Sequence, residues 1–306
     1  MKINIIRSDE KRKFRQLLYN AILGFAVGDA MGVPYEGTKR ESYKAMPSMA
    51  GYGAYNQPPG TWSDDTALTL ATIASIGECG EPNPDNLMQH FAGWLYHAEY
   101  TAGGTIFDKG TTTKLAIEHF ANKQIFCPDG IDNGSGALMR ILPIAFLPDA
   151  EQQIEPVARL THIDSTSTYA CKIYISVAKH LLSGKTACEA VAAAIGEQGS
   201  VPYEFRRLYV LSELPVNEIY STGYAVHTLE AALWCVVHGD SYKKTVMLAI
   251  SLGEETGTIA ALAGGLAGVC YGFACGRKRI PRSWIKKLRN RHIIEPLCDK
   301  MAEALA

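Results

Sequence analysis

Apolar residues recur at helical spacing along most of the chain. In residues 11–31, Leu18, Ile22 and Phe25 follow one another at intervals of four and three, as on one face of a helix. The same criterion predicts helices at 84–99, 111–122, 134–147, 151–161, 166–183, 186–197, 223–238, 241–251, 257–274 and 291–304. Since no sustained alternation of apolar and polar residues indicates a large sheet, the pattern predicts an all-α fold.

One helix start is marked with particular clarity. The triplet Ser63-Asp64-Asp65 precedes the apolar stretch TALTLATIASIG. Ser and Asp at such a position accept hydrogen bonds from the free amides of the first helical turn. This capping role by itself accounts for the triplet, and the same side chains also suit a metal site.

Glycine and proline clusters at 51–60 and 127–136 predict loops between helices. No low-complexity segment or change of composition divides the chain. We therefore predict a single domain over residues 1–306, with a motif-bearing core at about 15–275. A compact domain of this size can stand alone, so we expect a monomer.

Charge and cysteine content narrow the classes of function. The chain of 306 residues carries 30 Lys and Arg against 31 Asp and Glu, a formal net charge of −1, which gives no electrostatic case for nucleic acid or a membrane surface. None of the eight cysteines lies in a C-x-x-C pair, which argues against zinc-finger or redox spacing. The N-terminal stretch MKINIIRSDEKRKFRQ is polar and charged, so we expect a cytoplasmic location.

The uncharged run GTIAALAGGLAGVCYGFAC at 257–275 raises the question of a membrane span. Gly264, Gly268 and Gly272 give overlapping G-x-x-x-G spacings. Ala and Gly contribute little to membrane insertion, however, and the run holds few large aliphatic residues. We expect a buried helix that packs closely against another helix.

Glycine-rich loops recur at 24–37, 60–66, 107–113, 133–140 and 252–258, and all but 133–140 contain acidic residues. Each loop adjoins the end of a predicted helix, where backbone groups lack partners within the helix. Clusters that offer only oxygen ligands favour hard cations such as Mg²⁺ over zinc or copper. The sequence therefore indicates an oxygen-ligand site with Asp64 and Asp65 as its centre.

Other residues in these loops have more than one interpretation. Glu36 is a candidate metal ligand or acid/base, or alternatively a solvated loop carboxylate. The glycines and hydroxyls of 103–113 and 133–136 suit phosphates or ribose hydroxyls, although neither loop is a Walker A or a dinucleotide motif. His162 is either a catalytic base or a histidine with structural hydrogen bonds.

Taken together, the motifs resemble those of the ADP-ribosylglycohydrolase family, whose best-known members reverse protein ADP-ribosylation. The resemblance extends over about residues 21–272 and rests on GDAMGVPYEG, GTWSDDTAL, FDKGTTTKLAI, NGSGALMRILPI, GYAVHTLEAALW and TIAALAGGLAGVCYG, in this order. It implies an all-α fold, a binuclear Mg²⁺ centre and a cleft that binds ADP-ribose.

The resemblance also implies roles for individual residues. Glu36 matches an acid near the site, and we group it with Asp64 and Asp65 as catalytic. The implied metal ligands are Ser63, Asp64, Asp65, Glu255 and Thr258. The implied substrate-binding residues are Asp108, Gly110, Thr111, Thr112, Gly134, Ser135, Gly136 and His162.

One stretch departs from the family pattern. Where the family has Gly-Asp-x-Asp-Thr, this chain has Glu254-Glu255-Thr256-Gly257-Thr258. Glu255 keeps a carboxylate on a longer stem, whereas Gly257 offers none. Since bridging carboxylates offset the repulsion between two dications, we expect one or two Mg²⁺ ions, the second more weakly held.

Two functions follow from these observations. The first is a Mg²⁺-dependent hydrolase that removes ADP-ribose from modified protein side chains or related ADP-ribosides. Its support is the intact Ser63-Asp64-Asp65 triplet with the substrate loops. The second is a pseudoenzyme or immunity-type protein that binds ADP-ribose or a modified partner without turnover, and its support is Gly257.

Overall fold

The architecture is a bundle of packed α-helices joined by loops and short 3-10 turns. The structure is a computed structural model that describes residues 2–123, 132–273 and 276–306, with the backbone alone for residues 2–8. Its α-helices are α1 (Lys2–Gly32), α2 (Asp64–Cys79), α3 (Pro84–His97), α4 (Thr111–Ala121), α5 (Ala150–Ala158), α6 (Ser165–Leu182), α7 (Ala187–Glu197), α8 (Ala225–His238), α9 (Tyr242–Ser251), α10 (Thr256–Tyr271), α11 (Arg282–Lys287) and α12 (Ile294–Ala304). No β-strand occurs in the described ranges beyond two isolated bridges, so the predicted all-α fold is confirmed.

Helices α1 and α10 lie at the centre and pack antiparallel, backbone against backbone. A Cβ atom added at Gly24 would lie 2.5 Å from the carbonyl oxygen of Gly264, and one at Gly28 would lie 2.0 Å from that of Ala260. At Gly32 it would lie 2.2 Å from the carbonyl oxygen of Thr256. The glycines of α1 recur every four residues and form one helix face, so the small-residue composition permits this close approach.

This contact explains the small residues of α10. Every residue from Thr256 to Val269 is buried, and the helix is apolar on all sides, as a central helix of a bundle is. The prediction of a buried, closely packed helix is therefore confirmed for residues 257–269, whereas the helix ends at Tyr271 and Phe273 is exposed. Residues 274 and 275 lie outside the described part of the chain.

Helix α1 is also long and apolar. The segment Asp9–Tyr35 passes a length-and-composition test for a membrane span, and 89% of its most apolar window is buried inside the protein. Core helices and signal sequences pass the same test, so the composition of α1 does not distinguish among these possibilities.

Two parts of the helix prediction are wrong. The predicted helix 134–147 is replaced by 3-10 turns at Leu138–Arg140 and Leu142–Phe146. Pro143 interrupts the predicted helix, because it has no backbone N–H to donate and disfavours helical geometry at the preceding residue. The short helix α11 and the 3-10 segment Tyr203–Glu213 were not predicted, since α11 has only six residues and the 3-10 segment leaves helical geometry at Val210.

The loop predicted at 51–60 contains a 3-10 turn, Gly53–Tyr55, and no helix longer than that. Half of the loop predicted at 127–136, namely residues 127–131, lies outside the described ranges. The cysteines of the described ranges are all free, and Cys127 and Cys275 lie outside those ranges.

Candidate active site

The N-terminus of α2 is held by a buried carboxylate from α1. Asp29 is fully buried and accepts hydrogen bonds from the amide of Ser63 (3.1 and 3.0 Å), the amide of Thr66 (3.1 Å) and the hydroxyl of Thr66 (2.6 Å). Burial raises the pKa of Asp29 to about 7, although these donors act in the opposite direction. Asp29 therefore orients the start of α2 relative to the central helix pair.

Ser63 caps α2 as predicted. Its hydroxyl accepts from the amide of Asp65 at 3.2 Å and lies 3.1 Å from Asp65 Oδ2. The cap leaves Asp64 and Asp65 in the first turn, where the positive end of the helix dipole favours carboxylates. The cap thus involves the same three residues that the sequence predicts as metal ligands.

Asp65 connects the two halves of the site. The hydroxyl of Thr258, in the first turn of α10, donates to Asp65 Oδ2 at 3.2 Å. The other oxygen, Oδ1, is buried and has no hydrogen-bond partner. Burial, followed by the charges of Asp29 and Asp64, raises the pKa of Asp65 well above its usual range.

Glu36 approaches from the loop that follows α1. Its Oε2 accepts from the amide of Gly257 and lies 3.2 Å from the hydroxyl of Thr256. Burial, and then the neighbouring Glu255, raise the pKa of Glu36 well above its usual range. Of the alternatives left open by the sequence, the solvated loop carboxylate is therefore wrong, because Glu36 is held against the start of α10.

These residues border a cavity of about 520 Å³. Its acidic wall consists of Glu36, Asp64, Asp108 and Glu255, with Thr258 between them. Burial raises the pKa of each carboxyl, and the charge of Asp108 adds to the effect at Asp64 and Glu255. An acidic wall of this kind attracts cations and holds protons that a reaction can use.

A second part of the cavity wall offers amides and hydroxyls. One portion is the start of α4, with Gly110, Thr111, Thr112 and Thr113. The other is the glycine loop, defined as Gly134, Ser135 and Gly136. Helix α4 begins without a side-chain cap, so its first amides are open to a ligand. With α2 and α10, three helix N-termini converge on the cavity, and such termini favour bound anions.

The glycine loop is fixed from behind by backbone pairing and by packing. The amide of Ala225 donates to the Asn133 carbonyl oxygen at 3.0 Å, and the hydroxyl of Ser167 donates to the Gly134 carbonyl oxygen at 2.9 Å. A Cβ at Gly136 would lie 2.5 Å from Cε1 of His162, so only glycine fits there. The loop can therefore present its backbone closely to a ligand.

His162 has a structural hydrogen-bond partner on its inner side. Arg140 Nη2 donates to Thr161 Oγ1 at 2.5 Å, which leaves the Thr161 hydroxyl proton to donate to His162 Nδ1 at 2.8 Å. The ring proton then sits on Nε2, which lies 3.7 Å from Asp132 Oδ1. Burial, with a contribution from Arg140, lowers the pKa of His162 to about 3. The ring is neutral, and of its two predicted roles the structural one applies.

The donor set at Asp65 fits a hard cation. Within the described ranges, no three His, Cys, Asp or Glu side chains form a ready metal cluster. Hydroxyl and carboxylate oxygens do converge at Asp65. The hydroxyls of Ser63 and Thr258 contact its Oδ2, while its Oδ1 is buried without a hydrogen-bond partner among the described residues. Leaving a buried carboxylate oxygen unpaired costs free energy, and an oxygen-seeking cation such as Mg²⁺ removes that cost. The residues present thus fit one such ion.

All the site residues predicted from the sequence meet at this place. Twelve of them line the cavity, and Ser63 and Asp65 lie directly behind Asp64 and Thr258. The sequence missed Asp29, Tyr55, Asp132 and Arg140. Asp29 belongs to the GDAMG motif, and its position in an otherwise apolar helix was a signal for a buried polar role.

Comparisons with known proteins agree with this arrangement. The sequence profile of the ADP-ribosylglycohydrolase family matches residues 10–306. ADP-ribosylarginine hydrolase Tri1 of Serratia proteamaculans is 27% identical over 293 residues, covering 92% of this chain and 77% of its own. The ADP-ribosyl-[dinitrogen reductase] glycohydrolase of Rhodospirillum rubrum is 29% identical over 284 residues, covering 88% of each chain.

A solved structure extends the likeness to the fold. It is titled an ADP-ribosylglycohydrolase-related protein complex, and its chain superposes with a TM-score of 0.80 at 28% identity, covering 97% of this chain and 100% of that one. The family profile spans nearly the whole chain, and the fold and the order of motifs agree with it. The chain therefore belongs to the ADP-ribosylglycohydrolase family.

Proposed function

We propose that the protein is a Mg²⁺-dependent hydrolase that releases ADP-ribose from modified protein side chains or from related ADP-ribosides. The observation that carries the proposal is the unpartnered, buried Oδ1 of Asp65 behind an acidic cavity wall. Family membership supplies the reaction class, since relatives such as Tri1 are named as hydrolases of ADP-ribosyl linkages.

The size and polarity of the cavity support a ligand of this kind. A volume of about 520 Å³ lies in the usual range for small-molecule sites, roughly 300–1,000 Å³. The amide-rich wall at α4 and Gly134–Gly136 suits phosphate oxygens, and the acidic wall would repel them. A diphosphate therefore belongs on the amide side, which directs the sugar toward Asp64 and Glu36.

In this proposal, Ser63, Asp64, Asp65 and Thr258 hold the cation, and Glu255 is the further carboxylate within the same wall. Bound Mg²⁺ supplies Lewis-acid polarisation of oxygens near the anomeric carbon. The protein residues orient the sugar between the two walls, which accounts for part of the acceleration.

Proton transfer is assigned to the carboxyls of the acidic wall. Because burial and then Glu255 raise the pKa of Glu36, its carboxyl can hold a proton for a leaving group at a higher pH than an ordinary glutamate does. Asp108 lies on the same wall and accepts a hydrogen bond from Tyr55. His162 is excluded as the base, since its Nδ1 is engaged by Thr161 and burial lowers the pKa of the ring to about 3.

The alternative of a non-catalytic binding protein rested on the missing carboxylate at Gly257. The space beside Gly257 contains the carboxylate of Glu36 instead. The site therefore still has a carboxyl group at that point, and the hydrolase is the better supported function.

The test is release of ADP-ribose from a protein modified on arginine, with serine-linked ADP-ribose and small ADP-ribosides in parallel. Free ADP-ribose is quantified by chromatography with Mg²⁺ or with EDTA. We expect release that depends on Mg²⁺ and falls to background in Asp65→Asn, while Glu81→Gln, an exposed carboxylate change, behaves as wild type. Measurable ADP-ribose binding without release from any substrate would overturn the hydrolase and favour the binding protein.

A further inference from the structure

The segment between α10 and α12 concentrates positive charge at the surface. Residues 276–292 contain eight of the 30 Lys and Arg of the chain and none of its 31 Asp and Glu, so the rest of the chain is net acidic. These eight side chains, called the basic strip below, are Arg277, Lys278, Arg279, Arg282, Lys286, Lys287, Arg289 and Arg291.

The charges of the basic strip are exposed and unpaired. Every one of its side chains is exposed, and none forms an ion pair with a residue that the structure describes. On α4 and α9, by contrast, Lys114 pairs with Glu118 and Lys244 pairs with Asp240. An unpaired surface of one sign attracts a partner of the opposite charge.

Apolar residues spaced four apart hold this segment on the core. Ile280, Trp284 and Leu288 are at most 5% exposed. Trp284 Nε1 also donates to the Pro47 carbonyl oxygen at 3.3 Å. Because these side chains point inward, the segment has a fixed position and presents its basic side chains to solvent.

The end of the basic strip lies against two loops that lead into the cavity. The amide of Arg289 donates to the Gly60 carbonyl oxygen at 2.9 Å, and Asn290 Nδ2 donates to the Thr101 carbonyl oxygen at 2.9 Å. Asp64 follows Gly60 by four residues, a span of at most about 14 Å. A protein whose modified side chain enters the cavity therefore brings its neighbouring surface within reach of the strip.

From this charge and this position we propose that the basic strip docks an acidic region of the modified protein, close to the side chain that carries ADP-ribose. The inference rests on the proposed function and names a class of substrate for it. Because the rest of the chain is net acidic, such a partner is attracted to the strip and repelled elsewhere. Complementary charge of this kind speeds association and orients the partner.

The surroundings of the strip favour a protein over other polyanions. Trp284, the only Phe, Trp or Tyr of residues 276–292, is buried, so it cannot stack on the bases of a nucleic-acid strand. A long duplex also extends past the strip and meets a net acidic surface. The buried apolar residues leave the segment no face that enters a lipid surface. The loop at 46–60, which contacts the strip and lines the cavity, exposes Met46 and Tyr52 by more than half, as suits contact with a protein.

The first experiment measures binding by fluorescence anisotropy with the purified full chain, so its readout does not depend on catalysis. The probe is a labelled peptide of alternating Glu and Gly, compared with a Gln-for-Glu peptide and with a DNA duplex of the same total charge. The strip variant is Arg282→Glu with Lys286→Glu and Lys287→Glu. The matched control makes the same change of charge at three exposed lysines outside the strip, Lys13→Glu with Lys185→Glu and Lys243→Glu. Circular dichroism verifies the fold of each variant.

We expect the strip variant to weaken binding of the Glu peptide by about tenfold or more, and the control variant to change it by less than about threefold. Added salt should weaken the binding by wild type, since exposed charges are screened. The Gln peptide and the duplex should bind more weakly than the Glu peptide.

The second experiment measures turnover on the linkage that the release assay identifies, in modified peptides flanked by Glu or by Gln. The strip variant should raise KM for the Glu-flanked peptide by about tenfold and leave kcat unchanged. It should hydrolyse a small ADP-riboside as the wild type does, because the strip lies outside the cavity.

Equal binding of the Glu peptide by the strip and control variants overturns the inference, as does equal binding of the two peptides by wild type. An unchanged KM for the Glu-flanked peptide also overturns it. Duplex binding that is tighter than peptide binding and is lost in the strip variant assigns the surface to nucleic acid instead. If the strip variant does not fold, glutamine at the same three positions decides the matter. A protein that binds the Glu peptide through the strip but releases no ADP-ribose refutes the proposed function, while the acidic-protein surface stands.

Discussion

Because the backbones of α1 and α10 are in close contact, one methyl group added at that contact should strongly destabilise the fold. Gly28→Ala places a Cβ 2.0 Å from the carbonyl oxygen of Ala260 and 2.7 Å from its carbonyl carbon. Both atoms belong to the backbone of a buried helix, so neither can rotate away. Relief requires the two helices to separate by at least about 1 Å along a contact that also runs through Gly24 and Gly32.

Two opposing contributions determine how much Gly28→Ala changes the free energy of unfolding. Overpacking a core typically costs about 1–3 kcal/mol, and the upper end applies here because the obstacle is backbone. Alanine is favoured over glycine within a helix by roughly 0.5–1 kcal/mol. We expect the free energy of unfolding to fall by about 2 kcal/mol or more.

Gly196→Ala is the matched control. Gly196 is an exposed residue of α7, and a Cβ there meets nothing within 4 Å. This variant should be more stable than wild type by roughly 0.5–1 kcal/mol, so the two alanines should act in opposite directions. Guanidinium unfolding followed by far-UV circular dichroism measures both. A Gly28→Ala protein as stable as Gly196→Ala would refute the reasoning about the helix contact.

Three further predictions concern the site. Asp65→Asn should abolish the rise in melting temperature that Mg²⁺ causes and leave the circular dichroism spectrum unchanged; an unfolded variant would show that capping is its main role. Asp29→Asn turns an amide group toward donors from Ser63 and Thr66, and should lower the free energy of unfolding by about 1–3 kcal/mol in denaturant titrations, whereas an unchanged value would contradict the anchoring role. His162→Gln should reduce the loss of stability at acid pH. Burial lowers the pKa of His162 from 6.5 to about 3, so only the unfolded state gains this proton as the pH falls below about 6.5. This proton uptake lowers the free energy of unfolding of the wild type by about 1.4 kcal/mol near pH 5.5. The stability difference between wild type and this variant should therefore shift by that amount between pH 8 and pH 5.5, and a constant difference would contradict the assignment.

The site was predictable in composition because its chemistry is local. Ser63, Asp64 and Asp65 are adjacent in sequence, and the cap that orients them is a property of one helix start. The glycine loops were recognisable for the same reason, since their residue types already indicate close backbone approach. Residues that act across the fold, such as Asp29 and Arg140, left weaker signals, because a single buried polar residue in an apolar run has many explanations.

Periodicity likewise predicted most helices but failed at 134–147. There, Pro143 has no backbone N–H to donate, so the stretch forms 3-10 turns instead of one continuous helix. Short elements such as α11 contain too few turns for an apolar stripe to be recognised.

By itself, the sequence determined the all-α class, the family and the oxygen-rich character of the site. It also exposed the unusual glycine at position 257, but it gave that residue only the meaning of a missing ligand. The tertiary structure alone decided what lies in the space beside it. Glycines spaced four apart on α1 let two backbones meet, and that contact brings Glu36, more than two hundred residues away in sequence, against Gly257. Side-chain proximity of this kind depends on helix separation to within about 1 Å, which residue patterns along one chain do not encode.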